Sequence, residues 1–217
     1  SIGTAARFKS SKVLAIDLSL SSLAYAKRKT EELAIENIEY MQADILDLAK
    51  LNKRFNIIER VGVLHHMDNP MEGWKVLTEC LKPGGLMRIG LYSELARTDI
   101  VKAREYISNN SLKPNDKDIM DFRQKILTDK LRILKSLKSF KDFYSLSQCR
   151  DLCFHTQEHR FTINELNNTL RDHKLKFLGF LLPIQIKSLY KQYFPEDKKQ
   201  INLKNWAKFE EKHPNTF

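Results

Sequence analysis

VLAIDLS, residues 13–19, is the stretch on which the fold turns. Residues 12–17 form a short apolar run closed by the acid Asp17, the pattern of a parallel strand buried on both faces. Ser19 stands where a helix N-cap is wanted, and Leu20, Leu23, Ala24 and Ala26 carry a helical period toward Leu33. A buried strand feeding a capped helix is half of a βαβ unit, and the pattern repeats along the chain. Residues 38–43 read as a second strand and residues 55–63 as a third. Pro70 opens a helix with Trp74, Leu77 and Leu81 at helical spacing. Pro83-Gly84-Gly85 reads as a turn and Leu86–Leu91 as a fourth strand. The expected fold is α/β with a mainly parallel sheet.

Beyond Ser93 the pattern changes. Residues 98–147 show helical periodicity and no strand signal, with a connection over Asn109–Asp116 that contains Pro114. Thr162 caps a helix carrying Ile163, Leu166 and Leu170; Lys176–Leu182 reads as a fifth strand ended by Pro183. An amphipathic piece follows around Ile186, Leu189, Tyr190 and Phe194, then a short helix over Asn205–Lys212. The division this implies is a partial Rossmann-like core at 1–92, a helical insert or cap at 93–161, and a C-terminal helix–strand part of the same domain at 162–217.

The bulk numbers fit a globular chain. Of 217 residues, 42% are apolar and 29% charged, which argues against sustained disorder. No stretch approaches the roughly 20 apolar residues of a membrane span. Three cysteines, Cys80, Cys149 and Cys153, do not make a disulfide scaffold and point to a reducing, cytoplasmic setting. The net charge of +10 gives some attraction to polyanions.

Ligands of open α/β sheets lie beyond the carboxyl ends of the strands. Asp17 ends the first strand; its carboxylate suits the vicinal hydroxyls of a ribose, or the positive end of the following helix. After the second strand, Asp44 can accept from an exocyclic amine with Ile45 packed on the ring, or can simply form a turn. Glu59-Arg60-Val61-Gly62-Val63-Leu64-His65-His66 closes the third strand, and Gly62 lets a ligand approach the backbone.

Taken together, VLAIDLS (13–19), MQADILDL (41–48), FNIIERVGVLHHMDNP (55–70) and LKPGGLMRIGLYS (81–93) resemble the class I S-adenosylmethionine-dependent methyltransferases, in order and in spacing. The resemblance implies a Rossmann-like sheet with S-adenosyl-L-methionine as cofactor. Asp17, with Leu18 beside it, would bind the ribose. Asp44 and Ile45 would bracket the adenine, and Glu59, Val61 and His65 would line the methionine end. The family carries a G-x-G-x-G loop between its first strand and first helix. Here Gly3 is the only glycine before Gly62, and residues 1–8 read as the helix after that loop. The sheet is thus expected to be truncated at its first strand, and this stretch alone to bind cofactor poorly. QCRDLCFHTQEHRFT (148–162) and LKNWAKFEEKHPNTF (203–217) further resemble a subgroup found with tetratricopeptide repeats, in which a last strand follows the equivalent of Phe217.

Sharper motifs compete with this. His155-Thr156-Gln157-Glu158-His159 has the H-x-x-E-H spacing, and on a helix two histidines four apart could face one metal. Cys149 and Cys153 share that spacing. No third ligand at a suitable distance supports a metal, so none is expected. Asp151, His155 and His159 are instead candidates for orienting the acceptor or taking its proton. Lys130, Arg132, Lys135, Lys138 and Lys141, interleaved with Leu131, Leu134, Leu137 and Phe140, read as a helix with a core side and a solvated side rather than a nucleic-acid face. The expected activity is methyl transfer to a small-molecule or protein acceptor, with no membrane partner. Its rivals are a non-catalytic scaffold or binding domain and an RNA methyltransferase.

Overall fold

The computed structural model describes residues 1–155 and 158–217. The chain falls into two compact units: residues 1–59 with 71–88, and residues 60–70 with 89–217.

The first unit begins with α1 (Ile2–Arg7), followed by β1 (Val13–Asp17), α2 (Leu20–Glu32) and β2 (Ile38–Gln42). The Ser19 side chain accepts from the Ser22 backbone N–H, so the expected N-cap is the one used. β1 and β2 pair in parallel, with Val13 opposite Ile38 and Asp17 opposite Gln42, so their carboxyl ends lie together. Asn37 ties α1 down: its amide donates to the carbonyls of Ala5 and Phe8 at 3.1 and 3.0 Å. β3 (Phe55–Val61), α3 (Pro70–Glu79) and β4 (Leu81–Gly90) follow, and β3 pairs with β4. β1–β2 and β3–β4 are separate two-stranded sheets among the described residues. Buried side chains of this unit include Ala5, Leu23, Ile45, Leu48, Trp74 and Leu77.

Pro83-Gly84-Gly85 is not the expected turn; it lies inside β4. The Phe55 N–H already bonds the Cys80 carbonyl at 2.8 Å, so pairing starts where α3 ends, and Gly84 absorbs the bend at φ +74°. A side chain at Gly85 would meet the Asn56 carbonyl at 3.0 Å, which leaves no room for a Cβ there.

The second unit holds β5 (Tyr92–Ser93), α4 (Thr98–Asn109), α5 (Asp116–Leu127), α6 (Leu146–Cys149), β6 (Arg160–Phe161), α7 (Ile163–Asp172), α8 (Ile184–Tyr193) and α9 (Leu203–Lys212). One core gathers Ile100, Ile119, Phe122, Leu134, Leu137 and Phe143; a second gathers Ile163, Tyr190, Trp206 and Phe209. Thr162 and Glu165 close a reciprocal capping box on α7.

One expectation for this unit is refined and another is corrected. The helix expected over the Leu131–Phe140 stretch is present as a 3-10 helix, Arg132–Ser139. The apolar spacing of three matches three residues per turn and buries Leu134 and Leu137. Lys176–Leu182 is not a strand. Gly179 at φ +133° breaks the extended run, and Phe177, Phe180 and Leu182 turn onto the second core. β5 pairs with β6 in parallel, Tyr92 opposite Arg160 and Ser93 opposite Phe161, a pairing too short to carry a periodic signal. No helix among the described residues is long and apolar enough to cross a membrane.

Candidate functional site

In the first unit two carboxylates stand at the carboxyl ends of the paired strands. The Asp17 Oδ1 accepts the Ser19 N–H at 2.9 Å, which fixes the side chain at the mouth of α2. The Gln42 amide donates to the Leu18 carbonyl at 2.9 Å, pinning Leu18 while leaving its side chain exposed. Asp44 caps the 3-10 turn Ile45–Leu51 by accepting the Leu46 N–H at 2.9 Å. The second oxygen of each aspartate is the one available to a ligand. Ile45 is buried, so its apolar surface serves the unit's interior and leaves little for a ring. Glu59 is engaged on both oxygens: Arg88 Nη1 reaches Oε1 at 2.5 Å and the Thr4 hydroxyl reaches Oε2 at 3.4 Å.

A hollow of about 540 Å³ in the same unit is lined by Ala5, Leu33, Ile35, Glu36 and Asn37. It opens at the amino ends of β1 and β2, the wrong end for the ligand of an open α/β sheet.

Val61 and His65 belong to the second unit. The Val61 side chain is exposed. His65 sits in the turn Leu64–His66 with only 1% of its surface exposed, and its carbonyl accepts the His159 N–H at 2.7 Å. Its ring lies 3.9 Å from the Tyr92 ring and 4.3 Å from His66; His66 in turn stacks on His155 at 4.1 Å. Burial, then the neighbouring His66, lowers the His65 pKa to about 4, so the ring is neutral at pH 7. Neither ring nitrogen has a hydrogen-bond partner among the described residues.

Behind the rings lies a buried ion cluster. The Arg97 guanidinium stacks 3.9 Å over the centre of Tyr92 and bonds both oxygens of Glu158, with Nε at 3.2 Å from Oε1. Arg104 Nη2 reaches the same carboxylate at 3.0 Å and the Leu152 carbonyl at 3.2 Å. Burial opposes the Glu158 charge, but the two guanidiniums outweigh it and hold its pKa below the usual carboxylate value.

The H-x-x-E-H spacing does not form the helical metal face considered for it. Its Thr156 and Gln157 lie outside the described residues. His155 is extended, following a π-helical turn over Arg150–Phe154, and Glu158 is committed to two arginines. No group of three or more ligating side chains among the described residues could hold a metal. Cys149 and Cys153 are buried free thiols in the first core. Asp151 is exposed, while His155 and His159 are partly buried. Sequence reasoning passed over Tyr92, Arg97 and Arg104. Arginines on a helix read as solvated, and only the fold turns Arg97 inward.

Residues 1–85 match a family model described as a methyltransferase domain. An uncharacterised protein of Synechococcus sp. is 28% identical over 179 residues, covering 79% of this chain and 43% of that protein. PKMT2 from Rickettsia typhi is similar in two solved structures. In complex with AdoHcy it gives a TM-score of 0.68 at 17% identity. The second PKMT2 structure gives 0.70 at 16%. Each covers 96% of this chain and 43% of that one, so the chain spans less than half the length of these relatives. At such identity the structural likeness speaks for the fold alone, and the match to a methyltransferase domain is confined to residues 1–85.

Proposed function

We propose that the protein transfers the methyl group of S-adenosylmethionine to an acceptor nucleophile, with Asp17 and Asp44 holding the nucleoside. The observation that carries this reading is the pair of carboxylates at the joined carboxyl ends of β1 and β2. They lie inside the region that matches the methyltransferase domain. The donor set fits the cofactor. With Oδ1 fixed by Ser19, Asp17 presents Oδ2 to the ribose hydroxyls, and Asp44 presents its free oxygen to the adenine amine. That PKMT2 was solved with AdoHcy supports the same choice.

The bound cofactor would supply a methyl group on a sulfonium, which is already activated for displacement. The chain then has to position the acceptor in line and keep water out, because alignment alone accounts for much of the acceleration in such reactions. A base is needed only where the acceptor has a proton to lose. His155, His159 and Asp151 remain candidates for orienting the acceptor; of these, the exposed Asp151 is the least suited to a closed site.

The test is S-adenosylhomocysteine release, measured by mass spectrometry in a cell extract supplied with S-adenosylmethionine and the full-length protein. Product should accumulate with the wild type and fall at least tenfold with Asp17→Ala. Equal release by both proteins would overturn the assignment of Asp17.

A further inference from the structure

Residues 123–141 carry seven lysines and arginines against one acid, Asp129, a net +6 in a chain of net +10. The secondary structure decides how those charges are displayed. Arg132, Lys135 and Lys138 are three apart. On an α-helix each step of three drifts by about 60° round the axis, so such a series winds away from any one face. Arg132–Ser139 is a 3-10 helix, in which side chains three apart eclipse, so the three cations stand in one row and Leu134 and Leu137 in the buried one. A kink at Leu134 does not scatter the row. The Lys138 hydrogen bond, at 2.8 Å, holds the Asp129 carboxyl below its ordinary value, and the charges of Arg132 and Lys135 add to the effect, so all three gather at one exposed carboxylate. That acid pairs with Lys138; Arg132 and Lys135, both exposed, have no ion pair among the described residues. Lys141, also exposed, opens the next turn, Lys141–Tyr144. Tyr144 is 54% exposed, and its hydroxyl donates to the Lys138 carbonyl at 2.9 Å, which sets the ring beside the row.

We propose that this row, with the Tyr144 ring at its side, is a docking surface for a single strand of nucleic acid. The inference stands apart from the methyl-transfer reading. At about 2 Å of rise per residue the cations are about 6 Å apart, a step that suits successive phosphates of one strand. Each cation that meets a phosphate releases counterions, which drives association without reading sequence. A base turned out from the strand can stack on the Tyr144 ring, the combination of charge track and aromatic platform that single strands favour. An anionic bilayer is the poorer match. Ile133 is the one apolar residue among the exposed positions of Arg132–Ser139, and interfacial binding draws on a continuous apolar face. An acidic protein would meet the charges and leave the ring unused.

The probe is fluorescein-labelled oligouridylate, followed by anisotropy as the full-length protein is titrated in over a series of salt concentrations. Saturable binding is expected at low salt, with a log–log salt slope of about −2 to −3, or about −0.7 for each phosphate met. Arg132→Gln with Lys135→Gln should weaken it at least tenfold and flatten the slope by about 1.4. Lys198→Gln with Lys199→Gln removes as much charge from an exposed loop and should change affinity less than twofold. Tyr144→Leu should weaken binding at least threefold at an unchanged slope, because stacking releases no counterions. All these positions are exposed, so each variant should keep the wild-type melting temperature. Absence of binding at low salt overturns the proposal. So does an equal loss in the Lys198 and Lys199 variant, since the attraction would then be one of net charge. Full affinity in Tyr144→Leu, or binding to phosphatidylserine vesicles or polyglutamate without binding to the strand, overturns the choice of partner.

Discussion

Arg97 grips Glu158 at both carboxylate oxygens while its guanidinium face lies on the ring of Tyr92. One side chain thereby ties α4 to the segment before β6 and to β5, all within the second unit. The pair is buried on both sides, so it is unlike the surface ion pairs elsewhere in the chain, such as Lys50–Asp47, which contribute little.

Removing one partner should therefore be expensive. Glu158→Gln leaves two buried guanidiniums without a counter-charge, and a loss of about 3–5 kcal/mol is expected in urea unfolding at pH 7. The Glu158 pKa is depressed in the folded state, so its contribution is present above the unfolded carboxylate value and fades as pH falls through the folded one. The gap between wild type and variant should narrow as pH falls below the unfolded carboxylate value and on through the depressed folded one. A gap that stays constant on acidification until the wild type unfolds would contradict the ion-cluster account.

His65 makes the opposite kind of contribution. Its folded pKa of about 4 lies below the ordinary histidine value of 6.5, so the unfolded chain binds a proton that the folded one refuses. Stability should fall as pH drops from 6.5 toward 4, by about 3 kcal/mol for this group alone. His65→Gln should flatten that part of the pH–stability curve. A His65 ring that titrates near 6.5 by NMR would show that the site is open to water.

The three cysteines are buried as free thiols. Hydrogen bonding to Cys149 and burial both push the Cys153 thiol pKa upward, which suppresses its thiolate. Native protein should react slowly with a thiol reagent, and all three groups should titrate after denaturation. Rapid labelling of Cys149 or Cys153 in the native state would contradict the packing of the first core.

That core should be sensitive to voids. Phe122 is 1% exposed and meets Tyr106 and Phe154 through ring contacts at 6.1 and 5.6 Å. Phe122→Ala should cost about 3–5 kcal/mol in chemical unfolding. A loss under 1 kcal/mol would mean that the helices around it repack freely.

Much of this was legible in the sequence where local rules are strong. Ser19 and Thr162 announce their helices because a side-chain oxygen at an N-cap needs no tertiary context. Asp17 closes the first expected strand and Asp44 follows the second, because short apolar runs mark both strands in the sequence. The failures are equally local in origin. Spacing of three at Leu131, Leu134 and Leu137 fits an α-helix and a 3-10 helix alike, and only packing chose the latter. Gly179 lies inside the expected strand Lys176–Leu182, and its φ of +133° ends the extended run. Arg97 and Arg104 carried no signal, since burial of a guanidinium depends on a carboxylate 61 or 54 residues away in sequence.

The central claim is that Asp17 holds the ribose of a bound S-adenosyl cofactor. Calorimetric titration of S-adenosylhomocysteine into the full-length wild-type protein and into Asp17→Ala tests it most directly. The account predicts one site per chain in the wild type and affinity at least tenfold weaker in the variant, the loss of about 1.5–3 kcal/mol expected for hydrogen bonds to a charged group. Undiminished affinity in Asp17→Ala, or no binding to the wild type at all, would contradict it.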